Sequence, residues 1–171
     1  MKFNHVKADL KIGKTIFGTM AFEFFTPGLC QILHSAGASF VILDMEHSGV
    51  SIDTIKTQIS YARGIGIIPM VRVPATQYHL ISTILDAGAM GIMVPMVETE
   101  DQARKIASWA RYRPLGTRGL AFSMAHDDYL GGDITEKMRE ANENIMVIAL
   151  IETETGIENV DSIMAVPEIG R

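Results

Sequence analysis

Asp44, Glu46 and His47 follow one apolar run, Arg72 closes the next, and Glu152 closes a later one. These residue types do acid–base and anion chemistry. Histidine exchanges a proton near neutral pH. The planar guanidinium of arginine holds an oxyanion or a carboxylate. A carboxylate at a strand end can take a divalent cation. Together they suit carbon–carbon chemistry beside a carbonyl, run through an enolate. Each also has a plainer reading on pattern alone. Glu152 could cap a helix, Arg72 could pair with any acidic neighbour, and His47 could be an ordinary loop histidine. Asp86, in ILDAG, sits at a helix end, where a structural role is the more frequent one. Glu98, Glu100 and Asp101 open a helix and suit its dipole. His34, His79 and His126 have no context beyond a surface or cap role.

Such residues act together only if the elements around them bring them together. Apolar runs recur at TIFGTM (15–20), FVILD (40–44), IIPMVR (67–72), MGIMVP (90–95) and IMVIALIE (145–152). Each reads as a strand buried on both faces, the signature of a parallel sheet. Between them lie helical patterns: Ile52, Ile55 and Ile59, then Ala103, Ile106, Ala107 and Ala110. Thr99 with Gln102, and Thr155 with Glu158, fit capping boxes. Gly37, Gly64 or Gly66, and Gly88 stand where a left-handed helix end is expected. Residues 112–144 break the rhythm with a polar stretch that predicts a helix over 134–142. A long loop of this kind is expected to be functional or disordered.

Alternation of strand and helix leaves a closed (β/α)8 barrel or an open doubly wound sheet. Either one gathers its chemistry at the carboxyl ends of the strands. Asp44, His47, Arg72 and Glu152 should therefore meet on one rim. After the first predicted strand stands MAFEFFTPG (20–28), which is not a glycine-rich phosphate loop. This favours the barrel and speaks against a nucleotide-binding domain.

Composition narrows the class further. The chain has 171 residues, 47% of them hydrophobic, and is expected to form one domain over 1–171. With 15 basic and 20 acidic residues the net charge is −5, and no basic patch suggests nucleic acid. The one cysteine, Cys30, rules out a disulfide within the chain and reads as a buried free thiol. The stretch MKFNHVKADLKIGK lacks the apolar core of a signal peptide. No apolar run reaches the roughly 18 residues of a membrane helix. No membrane partner and a cytoplasmic location are expected.

FVILDMEHSG, PMVRVP, ILDAGAMGIMVPMVETEDQARKIASWARYRPLGTRG and ANENIMVIALIETETGIENVDSIMAVP, in this order, resemble the HpcH/HpaI aldolase family. Its members are class II, metal-dependent aldolases for 4-hydroxy-2-oxo acids, including 2,4-dihydroxyhept-2-ene-1,7-dioate. The resemblance implies a TIM (β/α)8 barrel and a small-molecule 2-oxo acid substrate cleaved to pyruvate and an aldehyde. It also implies a divalent cofactor (Mg2+, Mn2+ or Co2+) and a homo-oligomer, trimer or hexamer. His47 then matches the base that acts through water on the substrate hydroxyl, and Asp86 the carboxylate paired with it. Arg72 matches the arginine on the enolate oxygen, and Glu152 one of two carboxylate metal ligands. Asp44, at the same strand end as His47, would support the site. No lysine ends a predicted strand, so Schiff-base chemistry is not expected. Citrate-lyase-like or oxaloacetate-decarboxylating activity would use the same enolate.

Two departures from the family stand out. Leu150 occupies the position, two before the metal-binding glutamate, where the family often carries glutamine. About five βα units are legible where a barrel has eight and usually about 250 residues. The second carboxylate ligand is expected beyond Arg171. Either the chain is part of a longer enzyme, which we favour, or it is a catalytically incomplete barrel serving as a subunit or interaction partner.

Overall fold

The computed structural model describes residues 2–170. Five strands are present among them: β1 (Gly18–Ala21), β2 (Phe40–Asp44), β3 (Ile68–Arg72), β4 (Gly91–Val94) and β5 (Met146–Ala149). They form one parallel sheet in sequence order. The helices are α1 (His5–Lys11), α2 (Leu29–Ser35), α3 (Ile52–Ile65), α4 (Tyr78–Asp86), α5 (Glu100–Ala110), α6 (Ile134–Asn144), α7 (Glu154–Glu158) and α8 (Val160–Met164).

The two faces of the sheet follow from the period of two along each strand. Val41, Leu43, Val71, Ile92, Val94 and Val147 form one face. They pack under Ile55, Ile59 and Ala62 of α3, Ile81, Ile84 and Leu85 of α4, and the alanine–isoleucine stripe of α5. Each large side chain buried there contributes roughly 1.5–3 kcal/mol. The alternate residues, Ile42, Ile68, Met70, Met93, Met146 and Ile148, form a second, methionine-rich cluster on the other face. That face is the inside of a barrel wall. A doubly wound sheet would carry connecting helices on both faces.

Helix α1 and its lead-in close the amino end of this inner face. Val6 joins the inner cluster. The Asn4 amide donates to the carbonyls of Met90 (3.0 Å) and Asn144 (2.9 Å), and Lys7 Nζ to that of Ile145 (2.9 Å). The capping box of Thr99 and Gln102 is present with both of its bonds. Thr155, by contrast, lies inside α7. Thr153 is the cap, because it has the extended backbone a cap needs (φ −119°, ψ 158°) and its hydroxyl accepts from Gly156 N–H. Gly66, not Gly64, ends α3 in the left-handed conformation at φ 88°. Cys30 is a buried free thiol, and burial pushes its pKa up. No helix among the described residues is long and apolar enough to cross a membrane.

The segment between α5 and α6 is a built part of the fold. It lies at the amino-end side of the sheet, where α3 and α4 finish. Arg63 of α3 pairs with Asp128 at 2.8 Å, and Arg118 pairs with Asp86 at 2.6 Å. His126 is buried rather than at the surface, 3.3 Å from the Tyr112 hydroxyl. Asp127 is buried in a one-turn 3₁₀ helix, Ala125–Asp127. Its carboxylate accepts from the amides of Ser123 and Met124, both at 2.8 Å, and from Lys137 Nζ at 2.6 Å.

Burial pushes the Asp127 carboxyl up, but the bonds from Lys137 and the two amides outweigh it and hold the pKa down to about 2, from 3.8. A pKa lowered by folding stabilises above the unfolded value and loses that contribution as pH falls through the folded value. Asp127→Asn, which leaves Lys137 buried without its partner charge, should cost about 3 kcal/mol at pH 7. In urea unfolding the gap from the parent protein should shrink clearly by pH 3. A gap equal at both pH values would contradict this account of the loop.

Candidate active site at the carboxyl ends of the strands

Asp44 and Arg72 are register partners, the last residues of β2 and β3. Both continue the inner face: Phe40, Ile42 and Asp44 on one strand, Ile68, Met70 and Arg72 on the next. Register therefore sets the two charged groups side by side at the rim. Arg72 Nε donates to Asp44 Oδ1 at 2.5 Å, and both residues are buried. The chain then winds around the same carboxylate. The Glu46 amide donates to Oδ1 (3.2 Å) and the His47 amide to Oδ2 (2.8 Å). The Ser48 hydroxyl donates to the Asp44 carbonyl. Met45 N–H reaches the Arg72 carbonyl at 3.0 Å and carries the ladder one step further.

This turn brings Glu46 and His47 to the arginine. Glu46 Oε2 lies 3.2 Å from Arg72 Nη1 and 3.6 Å from His47 Nε2. The His47 side chain is 66% exposed and faces the opening, whereas that of Glu46 is only 17% exposed. The Phe22 ring, just past β1, lies 5.5 Å from the guanidinium carbon of Arg72, a cation–π distance. Arg72 Nη2 is buried with no hydrogen-bond partner among the described residues. Two corners of the guanidinium face carboxylates, and the third has no partner among the described residues.

The charges reinforce one another. Burial pushes the Asp44 carboxyl up, but the hydrogen bonds from Arg72 and from the His47 and Glu46 amides outweigh it and hold it below the usual range. The Asp44 bond holds the Arg72 pKa above its ordinary value against desolvation, and the charges of Asp44, Glu46 and Glu152 add to this.

Glu152 lies three residues beyond the end of β5, at the same rim. Its Oε1 accepts from the Met96 amide at 3.0 Å. Met96 has a left-handed backbone, φ 52°. Leu150 donates its N–H to the Val94 carbonyl at 2.9 Å. By strand parity it falls on the inner face, two residues after Ile148. Among the described residues no three His, Cys, Asp or Glu side chains group closely enough to hold a metal ion. Glu152 is a single carboxylate, and a divalent cation takes about six oxygens. The residues described do not by themselves make a complete cation site.

Asp86 is placed elsewhere. Helix α4 runs back against the strand direction, so its last residue lies near their amino ends. There Asp86 binds Arg118, whose guanidinium sits 4.6 Å over the Tyr112 ring. Within this chain it is not brought to His47. The carboxylate beside His47 is that of Glu46, which the sequence places only as one more polar residue after a strand. Its signal is the spacing Asp-x-Glu-His, which a tight turn around the aspartate folds onto a single arginine.

Helices on the outer face, a closed amino end and an Asp–Arg–Glu–His cluster at the carboxyl ends define part of a (β/α)-barrel of the enzyme kind. The chain belongs to the HpcH/HpaI aldolase/citrate lyase family, which matches residues 22–170. It is 33% identical to a hydroxypyruvate/pyruvate aldolase of Roseovarius nubinhibens, over 95% of this chain and 63% of that protein. It is also 33% identical to a 5-keto-4-deoxy-D-glucarate aldolase of Salmonella paratyphi A, over 95% and 62%. An HpcH/HpaI aldolase structure from Desulfitobacterium hafniense superposes with a TM-score of 0.92 at 32% identity, covering 99% of this chain and 64% of that one. The citrate synthase SbnG superposes with a TM-score of 0.82 at 33% identity, covering 96% and 62%. The chain thus spans less than two thirds of the length of these relatives. Their structures are TIM barrels, and five parallel strands correspond to part of one.

The lowered Asp44 pKa gives a signed prediction. Its stabilising contribution is complete above about pH 5, one unit above the unfolded value, and is lost as pH falls through the folded value. The parent protein should therefore lose thermal stability more steeply between about pH 5 and 3 than Asp44→Asn does. Parallel profiles would show that the carboxylate is not tied to Arg72 in solution.

Proposed function

We propose that this chain is the N-terminal portion of a (β/α)8 barrel, in one domain. The enzyme it belongs to cleaves 4-hydroxy-2-oxo acids, of the 2,4-dihydroxyhept-2-ene-1,7-dioate type, to pyruvate and an aldehyde. The observation that carries the proposal is the Arg72 guanidinium, fixed by Asp44 and beside Glu46, with a buried Nη2 left over. His47 stands at the opening of the same cluster. His47, through a water, takes the proton of the C4 hydroxyl. The C3–C4 bond breaks, the aldehyde leaves, and the electron pair becomes an enolate with its charge on the C2 oxygen. Arg72 holds that charge where it develops, in a site that costs no reorganisation. Protonation at C3 gives pyruvate.

A divalent ion (Mg2+, Mn2+ or Co2+) belongs to this proposal as a Lewis acid for the 2-oxo acid. Glu152 is its ligand on this chain, and a second carboxylate must come from outside the residues described. A homo-oligomer, trimer or hexamer, is part of the same proposal, as is a cytoplasmic location. A citrate-lyase-like reaction is the second reading. The superposition on a citrate synthase favours it, and the substrate pair rather than the cluster would separate the two.

The test is pyruvate release from 4-hydroxy-2-oxo acids by the full-length enzyme. The rate should be abolished by EDTA and restored by Mg2+ or Mn2+. Arg72→Ala should lower kcat by about 10²- to 10³-fold, and His47→Ala by about 10²- to 10⁴-fold, both with unchanged circular dichroism. Near-parental rates in both folded variants would overturn the assignment.

A further inference from the structure

We infer that Glu46 is the positioning residue of this site, holding Arg72 and His47 in one geometry; the inference rests on the aldolase reading above. Four carboxylates bear on the question, and three are committed elsewhere. Asp44 accepts from Arg72 Nε and from two backbone amides. Glu152 accepts from the Met96 amide. Asp86 is bound to Arg118 near the amino ends of the strands. Glu46 alone has one oxygen, Oε2, close to both functional groups, 3.2 Å from Arg72 Nη1 and 3.6 Å from His47 Nε2.

That oxygen is buried and makes no hydrogen bond among the described residues, Arg72 and His47 included; it meets Arg72 as an ion pair and lies within ion-pair distance of the imidazole. The ionisable groups it pairs with are the arginine and the imidazole. A guanidinium held only at Nε can still turn about the Nε–Cζ bond. A second anion at Nη1 slows that half-turn, which exchanges the two Nη nitrogens, and steadies the plane of the guanidinium. The same negative charge lies where positive charge forms when His47 takes the substrate proton. The adjacency of Glu46 and His47 makes the arrangement local. Any movement of the turn after β2 shifts both together.

The experiment uses the full-length enzyme and two independent readouts. Glu46→Gln, which keeps the shape and removes the charge, should lower kcat for cleavage by about 10- to 100-fold, with KM changed less than about threefold. Glu46→Asp should recover part of the loss. In an Arg72→Lys background, which has no Nη1 to hold, Glu46→Gln should cost less than about twofold more. The second readout is the ¹⁵N spectrum of Arg72. It should show distinct Nη resonances in the parent and a merged signal in Glu46→Gln, whether or not cleavage is observed. A Glu46→Gln enzyme within about twofold of the parent, full multiplicative loss in the Arg72→Lys background, or an unaltered arginine spectrum would each overturn the inference. So would Asp86→Asn lowering kcat where Glu46→Gln does not. Absence of pyruvate release by the parent enzyme would instead refute the aldolase reading, and the arginine spectrum would still decide the positioning claim.

Discussion

The ion pair between Asp44 and Arg72 is the constraint on which this site depends. Taking two charges out of water costs several kcal/mol for each, and only good geometry and further hydrogen bonds repay it. Here both are supplied: a 2.5 Å Nε–Oδ1 contact and two amides on the same carboxylate. Apolar residues of equal size would stabilise the strand ends about as well, as Ile42 and Met70 do one step below. The pair is therefore poor value as a stabilising device and makes sense as a placing device. It seats the turn that carries Glu46 and His47, and it orients the arginine. A slip of one residue between β2 and β3 would turn one partner to the helix side and dissolve the cluster.

The two ends of the sheet have different work. At the amino ends, α1, the Asn4 and Lys7 side chains and the loop before α6 bind backbone carbonyls and one another. This is the end where barrel residues serve stability. At the carboxyl ends the charges gather on one arginine, Asp44 and Glu46 beside it; among the described residues Arg72 Nη2 has no hydrogen-bond partner there, as nitrogens of Arg111 and Arg118 have none at the amino ends. The edge strands are β1 and β5, and a complete barrel would leave no such edges.

Much of this was legible in the chain itself. A run such as FVILD (40–44) is apolar throughout because both faces of its strand are covered, and its one charge falls at the end. Period-two parity puts Ile42 with Asp44 and Met70 with Arg72 on one face, and the packing of the helices on the other shows that face to be the inner one. Boundaries were less legible. The run ending in Glu152 looked like one strand, yet its ladder stops at Ala149 and the chain turns toward α7. Thr155 fits a capping box as well as Thr153 fits a cap, and only the backbone angles decide. The attachments of the loop before α6 were not legible at all. Arg63, Arg118 and Lys137 find partners that no periodicity connects. Family resemblance named Asp86 for its chemistry, but the direction of α4 puts it at the other end of this chain.

The central claim is that Arg72 presents a free donor to a developing enolate. A crystal structure of the full-length enzyme with oxamate, a stable mimic of the pyruvate enolate, tests it most directly. The account predicts an oxamate oxygen within hydrogen-bond distance of Arg72 Nη2, with the Asp44–Nε contact intact. Oxamate bound at the rim while Nη2 remains without it, or an Arg72 swung away from Asp44 to reach it, would contradict the account.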